Sequence, residues 1–149
     1  MIDPKFIGHQ FKTTKLAVET GRIKQFAEAI GATDPIHFDE AAARAQGYTS
    51  VVAPPTFLTI AEMERGNDPD VEALPSLLKL DLSKFLHGEQ EYEYFLPVCA
   101  GDELSVSCAI KDIYSKRNGE LQFIVMELQY RNEAGQLAAI SRSTAVYRE

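Results

Sequence analysis

The sequence predicts an α+β domain, with a buried helix followed by several long antiparallel strands wrapped over it. Two observations carry this expectation. In the front half, apolar residues recur at helical spacing, as at Ile23, Phe26, Ala27 and Ile30. From Leu77 onward the period shifts to two, and turn signals such as Asn118-Gly119 divide the chain into strands.

Each element has its own local reason. Phe11 to Val18 alternates loosely and reads as an opening strand. Thr20 is a good N-cap for the helix that holds Ile23 to Ile30, and Gly31 stops it. Asp39 caps a second short helix, Glu40 to Gln46, which Gly47 ends. Pro54 and Pro55 suit the first turn of a third helix, where missing N–H groups cost little. That helix runs through Phe57, Leu58, Ile60 and Ala61 towards Met63 and is apolar on most sides, so it is expected at the centre of the domain. Arg65 to Pro75 is acidic and turn-rich and reads as a loop. Beyond it, Glu89, Glu91 and Glu93 alternate with Gln90, Tyr92 and Tyr94. Pro97 and Gly101-Asp102 turn the chain into a strand from Leu104 to Tyr114. A hairpin at Lys116 to Gly119 leads into Leu121 to Tyr130, and a turn at Asn132 to Gly135 leads into Leu137 to Tyr147. Residues 1–149 hold no internal repeat or linker and read as one domain.

Composition narrows the function. The 149 residues suffice for a sizeable core, with 45% hydrophobic and 25% charged residues. The net charge of −7 disfavours nucleic-acid binding, which needs a basic face. No apolar run approaches the roughly 20 residues of a membrane span, and MIDPKFIGHQF holds no signal-peptide core. The cytoplasm is the expected compartment. Cys99 and Cys108 are expected as buried free thiols. The three histidines, His9, His37 and His87, lie far apart without ligand spacing, so no metal site is expected.

The chemistry-bearing stretch is GATDPIHFDEAAARAQGYTSVVAPPTF, residues 31–57. Its DPIHFDEAAARAQGY, the APPTF that follows and the later LHGEQEYEYFLPVCAGDEL resemble the MaoC-like hot-dog proteins, and within them the FAS1-like dehydratase, or MaoC N-terminal, domains. The resemblance covers nearly the whole chain. It implies a hot-dog fold, a central helix wrapped by a curved antiparallel sheet, and pairing of two such folds through their sheets. It implies acyl thioesters of coenzyme A or acyl carrier protein as ligands, with no further cofactor. The family's active members are (R)-specific enoyl-CoA hydratases and 3-hydroxyacyl dehydratases with a motif of the form Asp-x-Asn-Pro-x-His. A carboxylate and an imidazole there clamp one water, and a backbone N–H at the start of the central helix meets the thioester oxygen, where enolate charge develops.

Laid on this sequence, the motif puts His37 at the histidine and Pro35 at the proline. Asp34 stands where the family has Asn, and the catalytic Asp position, five before the histidine, is Ala32. Active members carry His-Gly before the central helix, and here the pair is Pro54-Pro55. Proline has no N–H to give. In the enzyme reading, His37 is the acid/base, Asp34 the substitute carboxylate and Thr56 the substitute oxyanion donor. Pro55, Thr56, Phe57 and Tyr92 then border the substrate. His37 also reads as a turn histidine bonded to backbone, Asp39 as a cap, and Tyr92 and Tyr94 as core or interface aromatics. Lys84, Lys111, Lys116, Arg117, Arg131, Arg142 and Arg148 are the cations available to coenzyme A phosphates. Arg142 stands out because it interrupts an otherwise apolar strand.

Three readings follow. The first is a hydratase or dehydratase with an altered site, acting as a homodimer. The second is a non-catalytic subunit that pairs as a heterodimer with a catalytic MaoC-like chain and forms half of the acyl tunnel. The third, an acyl-CoA thioesterase, rests on the shared fold alone.

Overall fold

The computed structural model describes residues 1–148. Strand β1 (Gln10–Ala17) leads into helix α1 (Thr20–Ala29), and helix α2 (Glu40–Ala45) follows a tight turn. Helix α3 (Thr59–Arg65) and two single-turn helices, α4 (Pro69–Glu72) and α5 (Leu74–Leu77), complete the front half. The back half is β2 (Phe85–Tyr94), β3 (Glu103–Lys116), β4 (Leu121–Arg131) and β5 (Leu137–Arg148). The described strands form one five-stranded sheet in the order β1-β3-β4-β5-β2, antiparallel throughout. This is the α+β hot-dog arrangement that the patterning and the resemblance predict.

Alternation decides which face of the sheet is dry. Leu104, Val106, Cys108 and Ile110 of β3 are buried, as are Leu128 and Tyr130 opposite them on β4. Phe57, Leu58 and Ala61 join them in one continuous core. Phe57 and Leu58 are wholly buried, which stabilises the fold by about 1.5–3 kcal/mol for each side chain. Both cysteines are free and buried.

The central helix differs from its sequence expectation. Pro54 and Pro55 do not open a regular helix, which begins only at Thr59. The N–H groups of Phe57, Thr59, Ile60 and Ala61 reach back three residues, to Pro54, Thr56, Phe57 and Leu58, at 2.9–3.1 Å. These tight turns carry the chain from the proline pair into α3. Met63 is 71% exposed, so α3 buries one face and not its whole circumference. Arg65 is the surprise on that face. It is buried, donating to the Thr14 hydroxyl at 2.8 Å and to the Lys12 carbonyl at 2.9 Å. A bulge in β1 between Phe11 and Thr14 lies beside these acceptors.

Three smaller corrections have local causes. The expected loop from Arg65 to Pro75 contains α4, because the Asp68 carboxylate accepts from Asp70 N–H at 3.0 Å and Pro69 supplies a first helical residue. Leu77 belongs to α5, and β2 starts only at Phe85. Thr20 is the first residue of α1, with Glu19 in the cap position. The Asp39 cap is present, accepting from Ala42 N–H at 3.1 Å. No helix among the described residues is long and apolar enough to cross a membrane.

Candidate functional site

His37 ends a tight turn, Pro35–His37, between α1 and α2. Its Nδ1 lies 2.6 Å from the Val52 carbonyl oxygen. A carbonyl only accepts, so Nδ1 donates this bond, and in the neutral imidazole Nε2 keeps the lone pair. A second tie, from Val52 N–H to the Ile36 carbonyl at 2.9 Å, fixes the same two segments. The histidine is thus oriented and half-buried, in the tautomer that can take a proton at Nε2.

No carboxylate of the motif stands with it. Ala32 offers a methyl group at the family's Asp position. Asp34 is exposed and caps its own turn, accepting from Ile36 N–H at 3.1 Å. That bond is local geometry, set by an Asp immediately before Pro35.

The segment after Val52 forms the other wall. Ala53 N–H bonds the Val98 carbonyl at 2.8 Å, which ties the approach to the proline pair onto the chain after β2. The Pro55 carbonyl accepts from the Tyr94 hydroxyl at 2.7 Å. Burial pushes the Tyr94 phenol well above its ordinary pKa, so it stays a neutral donor. Between these segments opens a mainly apolar cavity of about 440 Å³, lined by Tyr48, Val52, Ala53, Pro55 and residues 94–98. Val52 therefore joins the His37 contact to the cavity. Thr56 is exposed at the start of the turns, and its carbonyl accepts from Thr59 N–H. Phe57 turns away into the core, where it meets Phe26 edge to face at 5.7 Å. Tyr92 lies on the inner sheet face, half-buried against the core.

The sequence reading passed over one polar cluster. Glu62, on the buried side of α3, accepts from the Ser141 hydroxyl at 2.6 Å and from the Gln90 amide at 2.9 Å. Ser141 also meets the Tyr130 hydroxyl at 3.2 Å, and Tyr130 reaches the Leu58 carbonyl at 3.3 Å. His87 contacts Gln90 at 3.2 Å. Burial pushes the Glu62 carboxyl above its ordinary range despite the two donors. The available signal was a lone carboxylate in the apolar run Leu58 to Met63.

Arg142 lies on the opposite face of the sheet. Its guanidinium meets Glu127 and Glu91 at 2.9 Å each and Glu93 at 3.5 Å. Lys111 adds a weaker contact to Glu127 at 3.7 Å. Burial alone would push the Glu127 carboxyl up, but hydrogen bonds from Arg142 and Gln129 outweigh it and hold it below its ordinary value. The charge that interrupts β5 is thus explained by an ion-pair row across β2, β5 and β4.

Comparison with known proteins matches this picture. The model of the FAS1-like dehydratase domain region matches residues 5–141. A UPF0336 protein of Saccharopolyspora erythraea is 36% identical over 149 residues, covering 99% of this chain and 92% of that protein. A UPF0336 protein of Streptomyces griseus is also 36% identical, covering 99% of this chain and 95% of its own length. Among solved structures, a MaoC-like dehydratase superposes with a TM-score of 0.84 at 26% identity, over 96% of this chain, which spans 42% of that longer protein. The HadBC (3R-hydroxyacyl-ACP dehydratase) complex of Mycobacterium tuberculosis gives 0.77 at 26% identity, covering 95% of this chain and 96% of that one. The ChsH1-ChsH2 complex from the same organism gives 0.76 at 25% identity, over 94% of this chain and 84% of that one. The chain belongs to the FAS1-like dehydratase domains of the MaoC-like hot-dog family.

Proposed function

We propose that this chain is the substrate-shaping half of a two-chain acyl-thioester hydratase or dehydratase of the (R)-specific type, with the proton-transfer pair on its partner. The observation that carries the reading is the side chain of Asp34. It is turned onto the Ile36 N–H, so His37, held on the Val52 carbonyl, has no carboxylate from its own motif. Hydration of an enoyl thioester needs a base for water, an acid at the α-carbon and donors at the thioester oxygen. Of these the chain offers the His37 imidazole. The usual backbone donor before the central helix is replaced by proline. Loss of one oxyanion donor costs on the order of a hundredfold in rate or more, before the missing carboxylate is counted.

What the chain does offer is a binding surface. The cavity beside Val52, Pro55 and Tyr94 has the apolar lining suited to the acyl and pantetheine portions of a coenzyme A or carrier-protein thioester. Heteromeric complexes among the structural neighbours, HadBC and ChsH1-ChsH2, support a two-chain assembly.

The test is turnover of enoyl-CoA substrates of several chain lengths. The purified chain is expected to be inactive alone. It is expected to support hydration when co-expressed with a MaoC-like chain from the same genome that carries the complete Asp-x-Asn-Pro-x-His motif. In that pair His37→Ala should leave most activity in place. Turnover by the isolated chain, abolished by His37→Ala, would overturn the proposal and establish the alternative in which His37 acts as the acid/base here.

A further inference from the structure

A cleft of about 290 Å³ opens between β1, the end of α3 and the turn before α4. It shares no lining residue with the cavity beside Val52. Arg65 is the anomaly in its lining. The side chain is only 4% exposed. Its guanidinium donates to the Thr14 hydroxyl, to the Lys12 carbonyl and, at 3.4 Å, to the Val106 carbonyl, all of them neutral acceptors. Its Nε–H is buried and meets no acceptor. Among the described residues no carboxylate lies within ion-pair distance of it. The Cys108 thiol stands nearby, but burial pushes its pKa up to about 11, so it stays protonated and supplies no charge. Buried charges are ordinarily matched by an opposite charge, and buried donors by an acceptor. Here the charge is unmatched and one donor is idle.

The neighbours of Arg65 repeat the imbalance. The Thr14 hydroxyl accepts from Arg65, so its own proton is free to be donated. The Lys12 ammonium and the Asn67 side-chain amide, both on exposed residues of the lining, bond to nothing among the described residues. The acceptors of the lining are already engaged. Glu64 pairs with Arg22, and Asp68 takes the Asp70 N–H at the start of α4. Lys15 is taken by Glu103 at 2.8 Å. The Arg65 Nε–H, the Thr14 hydroxyl, the Lys12 ammonium and the Asn67 amide therefore border one cleft without an acceptor, and two of these groups are cations. They stand on β1, on α3 and on the turn before α4. The β1 bulge contributes to this arrangement. Lys12 has no partner on β3 in the register, and its carbonyl is given to Arg65 instead. Bulges of this kind re-aim side chains beside binding sites.

We propose that this cleft binds an oxyanion of the phosphate class, with Arg65 and Lys12 supplying the charge and Thr14 and Asn67 the neutral donors. A tetrahedral oxyanion offers acceptors in several directions, which suits donors carried by three separate elements. A planar carboxylate is better served by a fork in one plane. The net charge of −7 repels anions at long range, so the affinity comes from these close donors and not from the field of the whole molecule. The site goes beyond the two-chain reading and needs neither a thioester nor a partner. An anion held there ties the bulge of β1 to the end of α3, and because it binds only the folded chain it stabilises it.

The test is calorimetric titration of the full chain, in chloride buffer at constant ionic strength, with inorganic phosphate, with glycerol phosphate and with acetate. At least one of the two phosphates should bind with Kd below about 1 mM, and acetate should bind at least about tenfold more weakly. The stronger of the two phosphates distinguishes a free ion from the phosphoryl group of a larger metabolite. Arg65→Met should abolish the binding. Two-dimensional proton–nitrogen NMR gives a direct readout, since the Arg65 Nε–H resonance should move when the phosphate is added. If circular dichroism shows Arg65→Met to be unfolded, Lys12→Ala/Asn67→Ala takes its place, because both side chains are exposed and their loss leaves the fold intact. That variant should bind at least about tenfold more weakly than the wild type. No binding of either phosphate up to about 20 mM, acetate binding as well as phosphate, or full affinity in the double variant overturns the proposal. None of these measurements involves turnover, so their failure leaves the test of the proposed function intact, and the reverse holds as well.

Discussion

Glu62 sits between α3 and the sheet with its pKa raised by burial against two donated hydrogen bonds. Its proton is held more tightly in the folded than in the unfolded chain. Above the ordinary value of 4.5 the folded state therefore binds more protons than the unfolded one, and stability falls as pH rises towards the folded pKa. Glu62→Gln keeps an acceptor for Ser141 and removes the titration. Thermal melts from about pH 4 to about pH 7 should show the variant gaining on the wild type as pH rises. An unchanged difference across that range would mean that Glu62 titrates normally. Arg142 tests the opposite face. Arg142→Met leaves the Glu127 carboxylate buried with only the Gln129 amide at 3.3 Å and the distant Lys111, and should cost about 2 kcal/mol in urea unfolding. A loss no larger than a few tenths would reduce the row to surface decoration. His37 and Asp34 show how far spacing carries at individual positions. Their presence in one short turn is evident from the sequence, but the direction of each side chain depends on Ile36 N–H and on Val52, fifteen residues away.

The strand β2 shows how one glycine sets a register. Gly88 sits in the bulge, where an added Cβ would meet Val146 Cγ2 at 2.7 Å and the Thr144 carbonyl at 3.2 Å. The bulge puts His87 on the same face as Gln90, three residues on, which an unbroken strand forbids. Gly88→Ala should cost about 1–3 kcal/mol through this overlap, measured by thermal or urea unfolding. A neutral result would show that β2 shifts freely against β5. In the central segment, Phe57→Ala should cost about 3–5 kcal/mol, because the ring is wholly buried against Phe26 and the sheet. The strands of the back half could be read from period two and turn residues, since both act within a few residues. The length of α3 could not. Two prolines suggested its start, but they are followed by tight turns whose Pro55 carbonyl is taken by Tyr94, thirty-nine residues on.

The assembled domain presents an open sheet edge at β2 and a cavity beside an oriented histidine. If a partner chain binds the open edge, it binds the folded form alone, so the melting temperature should rise with partner concentration. Differential scanning of the co-purified pair, diluted in steps, checks this. A midpoint that does not move with dilution would indicate that the edge contributes no binding energy. Taken together, the α+β layout, the helix stops, the hairpin and the family-marking motifs were already present in the order of residues. They arise from period, caps and turns, whose forces act between near neighbours. The Glu62 cluster, the Arg142 row, the buried Arg65 and the Val52 tie that orients His37 were not. They join positions 15–79 residues apart, and short-range pattern carries no information about which distant faces meet.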